Sequence, residues 1–152
     1  GFVKRLFELE IPEINEGIIL VYSVAREAGV RTKIAVYSEN PNVDPIGSCI
    51  GEKGMRIANI LKELGPEKVD IVAYTTDKVK FIENALSPAK NLHVFITDEK
   101  KQEALVVVDN DNLSLAIGKK GLNVKLASRL TKYKLDIKTI EQAKEMGINI
   151  VS

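Results

Sequence analysis

A short repeated stretch decides the fold: the chain reads DPIGSCIGEKG at residues 44–54 and DNLSLAIGKKG at residues 111–121, aligned without gaps 67 positions apart. Both copies contain Ile-Gly-x-x-Gly, and each is followed by about ten residues of helical character. Short strand-like segments then follow at 69–72 and 135–137. The same order of elements after both copies indicates that one structural unit is used twice.

Strands are also predicted before each copy, where β-branched residues are frequent or apolar and polar residues alternate. These segments cover residues 18–25, 33–37, 92–97 and 104–108. Helices are predicted at 2–9, 77–86 and 139–146. Each unit therefore runs strand, strand, helix, Gly-x-x-Gly, helix, strand. We expect an α+β fold of two units, each a three-stranded sheet packed by helices on one face.

The two units are expected to separate at Ser87-Pro88, because proline disfavours helix in the residue before it. The first domain then covers 1–86, with a leading helix at 2–9 and a bridging helix at 77–86. The second domain covers 87–152 and includes the C-terminal helix at 139–146.

Helix start signals support this scheme. Asp44 before Pro45 is typical of an N-cap followed by proline at the first helical position, and Asp111 or Asn112 is expected to cap the matching helix. The segment 139–142 has capping-box spacing.

The composition is that of a globular protein, with 45% hydrophobic and 28% charged residues and a net charge of +1. A near-neutral chain offers no global electrostatic argument for a partner, so any such argument is local. Cys49 is the only cysteine, so no intrachain disulfide forms, and Cys49 with His93 falls short of a zinc signature. We expect a reduced, cytoplasmic monomer without metal, cofactor or membrane partner, and the start at Gly1 suggests a fragment.

The Gly-x-x-Gly stretches have the chemistry of a phosphate-binding turn. Two glycines leave no side chain in the way of a phosphodiester, and the helix that follows presents free amides and a positive dipole end. Between Gly118 and Lys138 seven basic residues stand against the single acidic Asp136. Between Gly51 and Lys62 there are three basic residues and one acidic residue, Glu52. We expect Lys119 and Lys120 to contact phosphate, whereas for the lysines at 132, 134 and 138 a solvated face is an equal alternative.

Bases are expected to lie in an apolar groove beside each turn. The scarcity of aromatic residues, 5% of the chain, disfavours a sheet on which bases stack. Wall candidates are Ile50, Ile57, Ile117 and Val124, although a core role stays open for them. A core role is expected for Ile60, Leu64, Ala127 and Leu130.

Longer stretches make the pattern specific: residues 6–14, 31–36, 42–47, 84–89 and 113–118 resemble the tandem KH domains of the NusA family of bacterial transcription elongation, termination and antitermination factors. The resemblance implies the prokaryotic, type II KH topology. It also implies single-stranded RNA, such as a ribosomal-operon leader in the nascent transcript, held by both units, with RNA polymerase and antitermination factors as partners of the longer protein.

The pattern and the resemblance together predict the RNA-binding residues. These are Ile50, Gly51, Glu52, Lys53, Gly54, Arg56, Ile57, Ile117, Gly118, Lys119, Lys120, Gly121, Asn123, Val124, Lys125 and Asp136. Two departures from the family matter. The polymerase-binding and S1 domains have no counterpart in this sequence, and Glu52 stands where a basic residue would aid phosphate binding.

Two other classes of function compete with RNA binding. A protein-interaction scaffold that docks on RNA polymerase or antitermination partners, without RNA binding of its own, is favoured by the near-neutral charge and by Glu52. It is disfavoured by the basic cluster and both glycine pairs. An enzyme is not expected. Gly118-Lys119-Lys120-Gly121 continues into Leu122 and does not match a P-loop, and no dinucleotide-binding glycine pattern follows a strand.

Overall fold

The computed structural model describes residues 1–148 and divides the chain into two compact units, Gly1–Thr75 and a second that begins at Thr76. Each unit contains a three-stranded sheet, and the strand orders are β1-β2-β3 and β4-β5-β6. The predicted α+β fold with two repeated units is confirmed.

The elements of the first unit follow the predicted order, with one short helix added after the leading helix. They are α1 (Phe2–Glu10), α2 (Pro12–Asn15), β1 (Leu20–Glu27), β2 (Arg31–Tyr37), α3 (Pro45–Ile50), α4 (Met55–Leu64) and β3 (Lys68–Ala73). A single 3₁₀ turn, Glu52–Gly54, joins α3 to α4.

The second unit repeats this plan and ends in a further helix. Its elements are α5 (Lys78–Ala85), β4 (His93–Asp98), β5 (Glu103–Val108), α6 (Asn110–Ile117), α7 (Leu122–Thr131), β6 (Lys134–Thr139) and α8 (Ile140–Glu145). The 3₁₀ turn Lys119–Gly121 joins α6 to α7. None of the helices in residues 1–148 is both long and apolar enough to span a bilayer.

Both sheets mix two kinds of strand pairing. In the first, β1 pairs antiparallel with β2, and β2 pairs parallel with β3. In the second, β4 and β5 are antiparallel and β5 and β6 are parallel. Parallel neighbours need a crossover connection, and here the two helices with their glycine turn provide it. The sheet therefore fixes where the helix pair begins and ends.

The cores lie between sheet and helices. In the first unit Ile34 and Val36 of β2 pack in one buried cluster with Val3 and Phe7 of α1. In the second, Val108 of β5 packs with buried residues at positions 89 and 116. The four residues expected in the core, Ile60, Leu64, Ala127 and Leu130, are buried at 7% exposure or less.

The division between the units differs from the one expected at Ser87-Pro88. Helix α5, expected to close the first unit, belongs to the second. Phe81 and Ile82 of α5 are buried, and the carbonyl of Leu86 just after it accepts from Asn123 Nδ2 of α7 at 3.1 Å. Helix α5 therefore occupies in the second unit the place that α1 and α2 occupy in the first, and the chain divides before it.

The predicted helix caps are partly confirmed. The Asp44 side chain accepts from the Gly47 amide at 3.1 Å, with Pro45 at the first helical position. Thr139 and Gln142 form a capping box. The cap predicted for α6 is wrong: Asp109, and neither Asp111 nor Asn112, is the N-cap, because α6 begins at Asn110. No proline fixes its start, so α6 gains two residues at its N-terminus relative to α3.

A buried carboxylate holds the β1–β2 turn to the start of β3. The Glu67 side chain is fully buried and accepts from Arg26 Nε and Nη2, from the Thr32 hydroxyl and from the Gly29 amide. Burial opposes its ionisation, but the Arg26, Thr32 and Gly29 hydrogen bonds outweigh burial and lower the pKa of Glu67. Its ionised form is therefore part of the folded structure.

Replacing Glu67 with Gln should destabilise the first unit by about 2–4 kcal/mol, because Arg26 then loses its counter-charge. Since the folded-state pKa is depressed, this stabilisation is present above the unfolded value of 4.5 and is lost as pH falls through the lower folded value. Urea unfolding of E67Q against the wild type at neutral and acid pH measures both effects. Glu63→Gln, at an exposed position of α4, is the matched control, and an equal loss in E63Q would contradict the account.

Candidate nucleic-acid interface

The two Gly-x-x-Gly turns are exposed at the junctions of their helix pairs. Glu52 and Lys53 are exposed in the first turn, and Lys119 and Lys120 in the second. Each turn lies at the N-terminus of a ten-residue helix, α4 or α7, whose first amides have no acceptor within the helix. Each turn therefore places glycine backbone, helix amides and at least one lysine at the surface.

The two turns have the same backbone conformation. The first glycines, Gly51 and Gly118, have φ/ψ of 79/172° and 79/171°. The apical lysines, Lys53 and Lys120, have 55/24° and 56/27°, a left-handed conformation that is uncommon outside glycine. The turns GEKG and GKKG differ at one position and keep one shape, although the helices on either side differ at most positions, which indicates a shared requirement on the shape of the turn.

The two glycines of each turn serve different purposes. A Cβ on Gly51 would lie 2.6 Å from Arg56 Cγ, and one on Gly118 would lie 2.6 Å from Asn123 Cβ and 2.7 Å from the Asn123 nitrogen. A Cβ on Gly54 or Gly121 would meet nothing within 4 Å. The first glycine therefore permits close packing against the next helix, whereas the second leaves open space above the turn.

Arg56 anchors the first turn. Its Nη1 donates to the Glu13 carboxylate at 2.8 and 3.1 Å and to the Ser48 carbonyl of α3 at 2.9 Å. Its stem lies against Gly51. The hydrogen bond from Arg56 lowers the pKa of Glu13, so the pair is charged at neutral pH. One side chain thus joins α2, the end of α3 and the first glycine.

Asn123 anchors the second turn from the equivalent position, 67 residues on. Its Nδ2 donates to the carbonyls of Leu115 and Ala116 at 3.0 Å and to that of Leu86 at 3.1 Å. Leu115 is the counterpart of Ser48, and Leu86 follows the leading helix α5. Asn123 is 1% exposed, and its Oδ1 has no hydrogen-bond partner among the described residues.

Arg56 and Asn123 were both predicted to contact RNA, and the structure places them differently. Asn123 is buried beneath its turn and does not reach the surface. Arg56 is 31% exposed, with its Nη1 committed to Glu13 and Ser48. Both hold the turn in place. Sequence reasoning missed Glu13 entirely, because nothing in a single sequence pairs residues 43 positions apart.

The apolar residues predicted beside the turns lie at the surface or close to it. Ile50 is 40% exposed, and Ile57, Ile117 and Val124 are half-buried. Ile57 also packs against the core of the first unit, as the core alternative predicts, and its contact with a base stays a prediction. These aliphatic side chains and the turns lie on the same helix pairs.

Asp70 and Asp136 occupy matching strands but different surroundings. Asp70 accepts from Arg31 Nε and Lys33 Nζ, each at 2.8 Å. Asp136 is 62% exposed in its side chain, with Lys138 Nζ at 3.8 Å. Its neighbour Ile137 packs towards α6, so alternation along β6 points Asp136 to the opposite face of the sheet. The structure thus separates Asp136 from the turn, and a contact with RNA stays a prediction.

Cys49 and its surroundings carry no reactive chemistry. Cys49 is fully buried, and burial raises the pKa of its thiol to about 12. A thiol with that pKa is protonated at neutral pH and is a poor nucleophile. Within residues 1–148 no group of three or more His, Cys, Asp and Glu side chains is placed to hold a metal ion.

A three-stranded sheet with one parallel pair, crossed by two helices that an exposed Gly-x-x-Gly turn joins, defines a KH domain of type II topology, and this chain carries two in tandem. Family models agree: residues 1–74 match the NusA-like first KH domain and residues 78–145 the NusA-like second KH domain. The chain belongs to the NusA-like KH family.

Named relatives fit this assignment. The chain is 53% identical over 148 residues to the transcription termination/antitermination protein NusA of Borreliella burgdorferi, covering 97% of this chain and 31% of that protein. It is 52% identical to NusA of Bacillus subtilis, covering 97% and 40%. The chain therefore spans 31% to 40% of the length of these relatives.

A solved structure shares the fold. The crystal structure of APE1850 matches 90% of this chain and 95% of its own with a TM-score of 0.63 at 22% identity.

Alanine at the two glycines of the second turn should have unequal effects. Gly118→Ala forces a Cβ against Asn123 and should destabilise the second unit by about 2–5 kcal/mol, whereas Gly121→Ala meets open space and carries only the left-handed strain of about 1–2 kcal/mol. Thermal unfolding of both variants measures the difference. Equal losses would contradict the packing role assigned to Gly118.

Arg56→Ala should loosen the first turn but lower the free energy of unfolding of the unit only slightly, because the ion pair with Glu13 is partly exposed. Amide hydrogen exchange at Lys53 and Gly54 should accelerate. The control is Asn59→Ala, also on α4, whose Nδ2 donates to Glu10 at 2.8 Å away from the turn. If N59A accelerates the same amides equally, Arg56 is not the anchor.

Acid should reduce the effect of Arg56 to the part that does not depend on Glu13. Since the folded pKa of Glu13 is depressed, the pair stabilises the turn above pH 4.5 and stops doing so as pH falls through the lower folded value. The exchange rates of R56A and the wild type should therefore move closer together at acid pH, with the remaining difference due to the hydrogen bond from Arg56 to the Ser48 carbonyl.

Proposed function

We propose that this chain is the single-stranded RNA-binding part of a transcription termination/antitermination factor, with both Gly-x-x-Gly turns clamping one extended RNA. One observation carries the proposal: both units build the same exposed turn, each with a lysine in a left-handed conformation at its apex. Strained residues of this kind concentrate at functional sites. A phosphodiester fits the turn, because glycine leaves room and the helix N-terminus attracts an anion.

The charges of the two turns also favour RNA as the ligand, and they indicate that the units contribute unequally to phosphate binding. Lys119 and Lys120 are both exposed in the second turn, whereas Glu52 stands beside Lys53 in the first. The second unit should therefore contribute more of the phosphate binding. The half-buried aliphatic residues beside the turns offer apolar contact to splayed bases, which single strands present and duplexes do not.

The length of the RNA site follows from the number of nucleotides that one KH unit binds. A KH unit clamps about four nucleotides, so a site of roughly eight to eleven nucleotides is expected if both units hold one strand. The relatives' name, transcription termination/antitermination protein, supports the nascent transcript in the cytoplasm as the source of that strand, such as a ribosomal-operon leader. RNA polymerase and antitermination factors are proposed as partners of the longer protein that contains this chain.

The direct test is a titration of fluorescein-labelled single-stranded leader RNA with the wild type and with a Lys119→Asp, Lys120→Asp variant. Affinity should fall at least about tenfold. The log-log salt slope should become shallower by about 1.4, which is two phosphate contacts at about 0.7 each. Aspartate tolerates the left-handed conformation at position 120, so the variant should fold.

The control is a Lys100→Asp, Lys101→Asp variant in the exposed β4–β5 turn, which changes the charge equally. Unchanged affinity in the first variant would remove the second turn from the mechanism. If the wild type binds neither single-stranded nor duplex RNA, the proposal fails, and a protein-interaction scaffold is the function left.

A further inference from the structure

Helix α7 carries a basic stripe beyond the turn. Lys125 and Arg129 lie four residues apart on α7, and Lys132 follows three residues later, directly after the helix. All three are exposed, while Leu126 and Leu130 face the core. Spacings of four and three place residues on one side of a helix, with rises of about 6 and 4.5 Å.

The stripe has no counter-charge within the described part of the chain. None of the three side chains forms an ion pair or hydrogen bond there, although six other pairs of oppositely charged side chains lie within 4 Å. A cation near a helix C-terminus is favoured by the dipole, which accounts for Arg129 on structural grounds. The dipole gives no such account of Lys125, which lies in the first half of α7.

The first unit shows what this surface looks like without the stripe. The equivalent residues are Ala58, Lys62 and Gly65. Lys132 is left-handed, with φ/ψ of 64/23°, and its counterpart Gly65 also has a positive φ but a different ψ, at 70/−126°. Glycine suits a left-handed position after a helix, and lysine does not. The second unit thus has a lysine at a positive φ, where the first unit has a glycine and glycine would be less strained.

The chemistry of the stripe fits phosphates better than a protein surface. Protein interfaces are anchored by aromatic and large apolar side chains, and the stripe contains none. Lys125 lies about one helical turn from Gly121, so the stripe continues from the turn lysines. Cations at this spacing can face neighbouring phosphates of one strand, as in grooves that follow a nucleic-acid backbone without reading its sequence.

We infer that Lys125, Arg129 and Lys132 form a phosphate track on which RNA continues past the Gly-x-x-Gly turn of the second unit, independently of base sequence. The inference rests on the proposed function and extends it, because it makes affinity depend on the length of RNA outside the base-binding grooves.

The test compares two unstructured RNAs on the wild type and on an Arg129→Gln, Lys132→Gly variant. The short RNA has about ten nucleotides, enough for the two KH sites, and the long RNA adds about six of arbitrary sequence at one end or the other. Lys125 is left unchanged because it borders the turn. Lys132→Gly should not lower the unfolding temperature, because glycine suits that backbone position.

The wild type should bind the long RNA more tightly than the short RNA for one of the two extensions, with a steeper salt slope. In the variant the slope difference should fall by about 1.4, and the short RNA should bind as before. A Lys100→Gln, Lys101→Gln variant loses the same charge in the β4–β5 turn and should keep the gain.

Four outcomes are decisive. A length gain that is present in the wild type and lost only in the stripe variant supports the track. An unchanged length gain in that variant overturns it, as does a wild type that binds the short RNA but gains nothing from either extension, the result expected if the stripe serves an acidic protein. Failure of the wild type to bind the short RNA refutes the proposed function instead.

Discussion

The close approach of two helices across a glycine shapes the surface of each unit. At Gly51 and Gly118 the next helix comes so near that a Cβ would lie 2.6 Å from a side-chain carbon. The chain must then turn with positive φ, pass a lysine through a left-handed conformation and restart a helix at once. The result is an exposed strip of backbone with helix amides behind it and open space above it. A phosphate can reach that strip because no side chain covers it.

The same turn is held by two kinds of chemistry. In the first unit a partly exposed ion pair, Arg56 with Glu13, links the turn to α2. In the second a buried amide, Asn123, reaches three carbonyl groups. A charged anchor responds to pH and salt, and a buried neutral one does not. The units therefore differ in how strongly pH and salt affect the anchoring of the turn, as well as in the charge of the turn.

Much of the fold could be predicted because it depends on local sequence patterns. The repeat, the strands and the Asp44 cap depend on residues that are close in sequence. Apart from the N-cap of α6, which is Asp109, the errors concern contacts between distant residues. Asn123 resembled a surface residue because its partner at Leu86 lies 37 positions away, and the same contact moves α5 into the second unit. Tyrosines that are scattered in sequence also meet, with Tyr22 and Tyr74 stacked at 3.9 Å.

The central claim is that both turns hold the backbone of unpaired RNA, and amide NMR tests it most directly. On addition of an unstructured single-stranded RNA, the resonances of Gly51, Gly54, Gly118 and Gly121 should shift, more strongly in the second turn. A duplex of the same composition should leave them in place. Binding of the single strand with shifts confined to other surfaces would contradict the account.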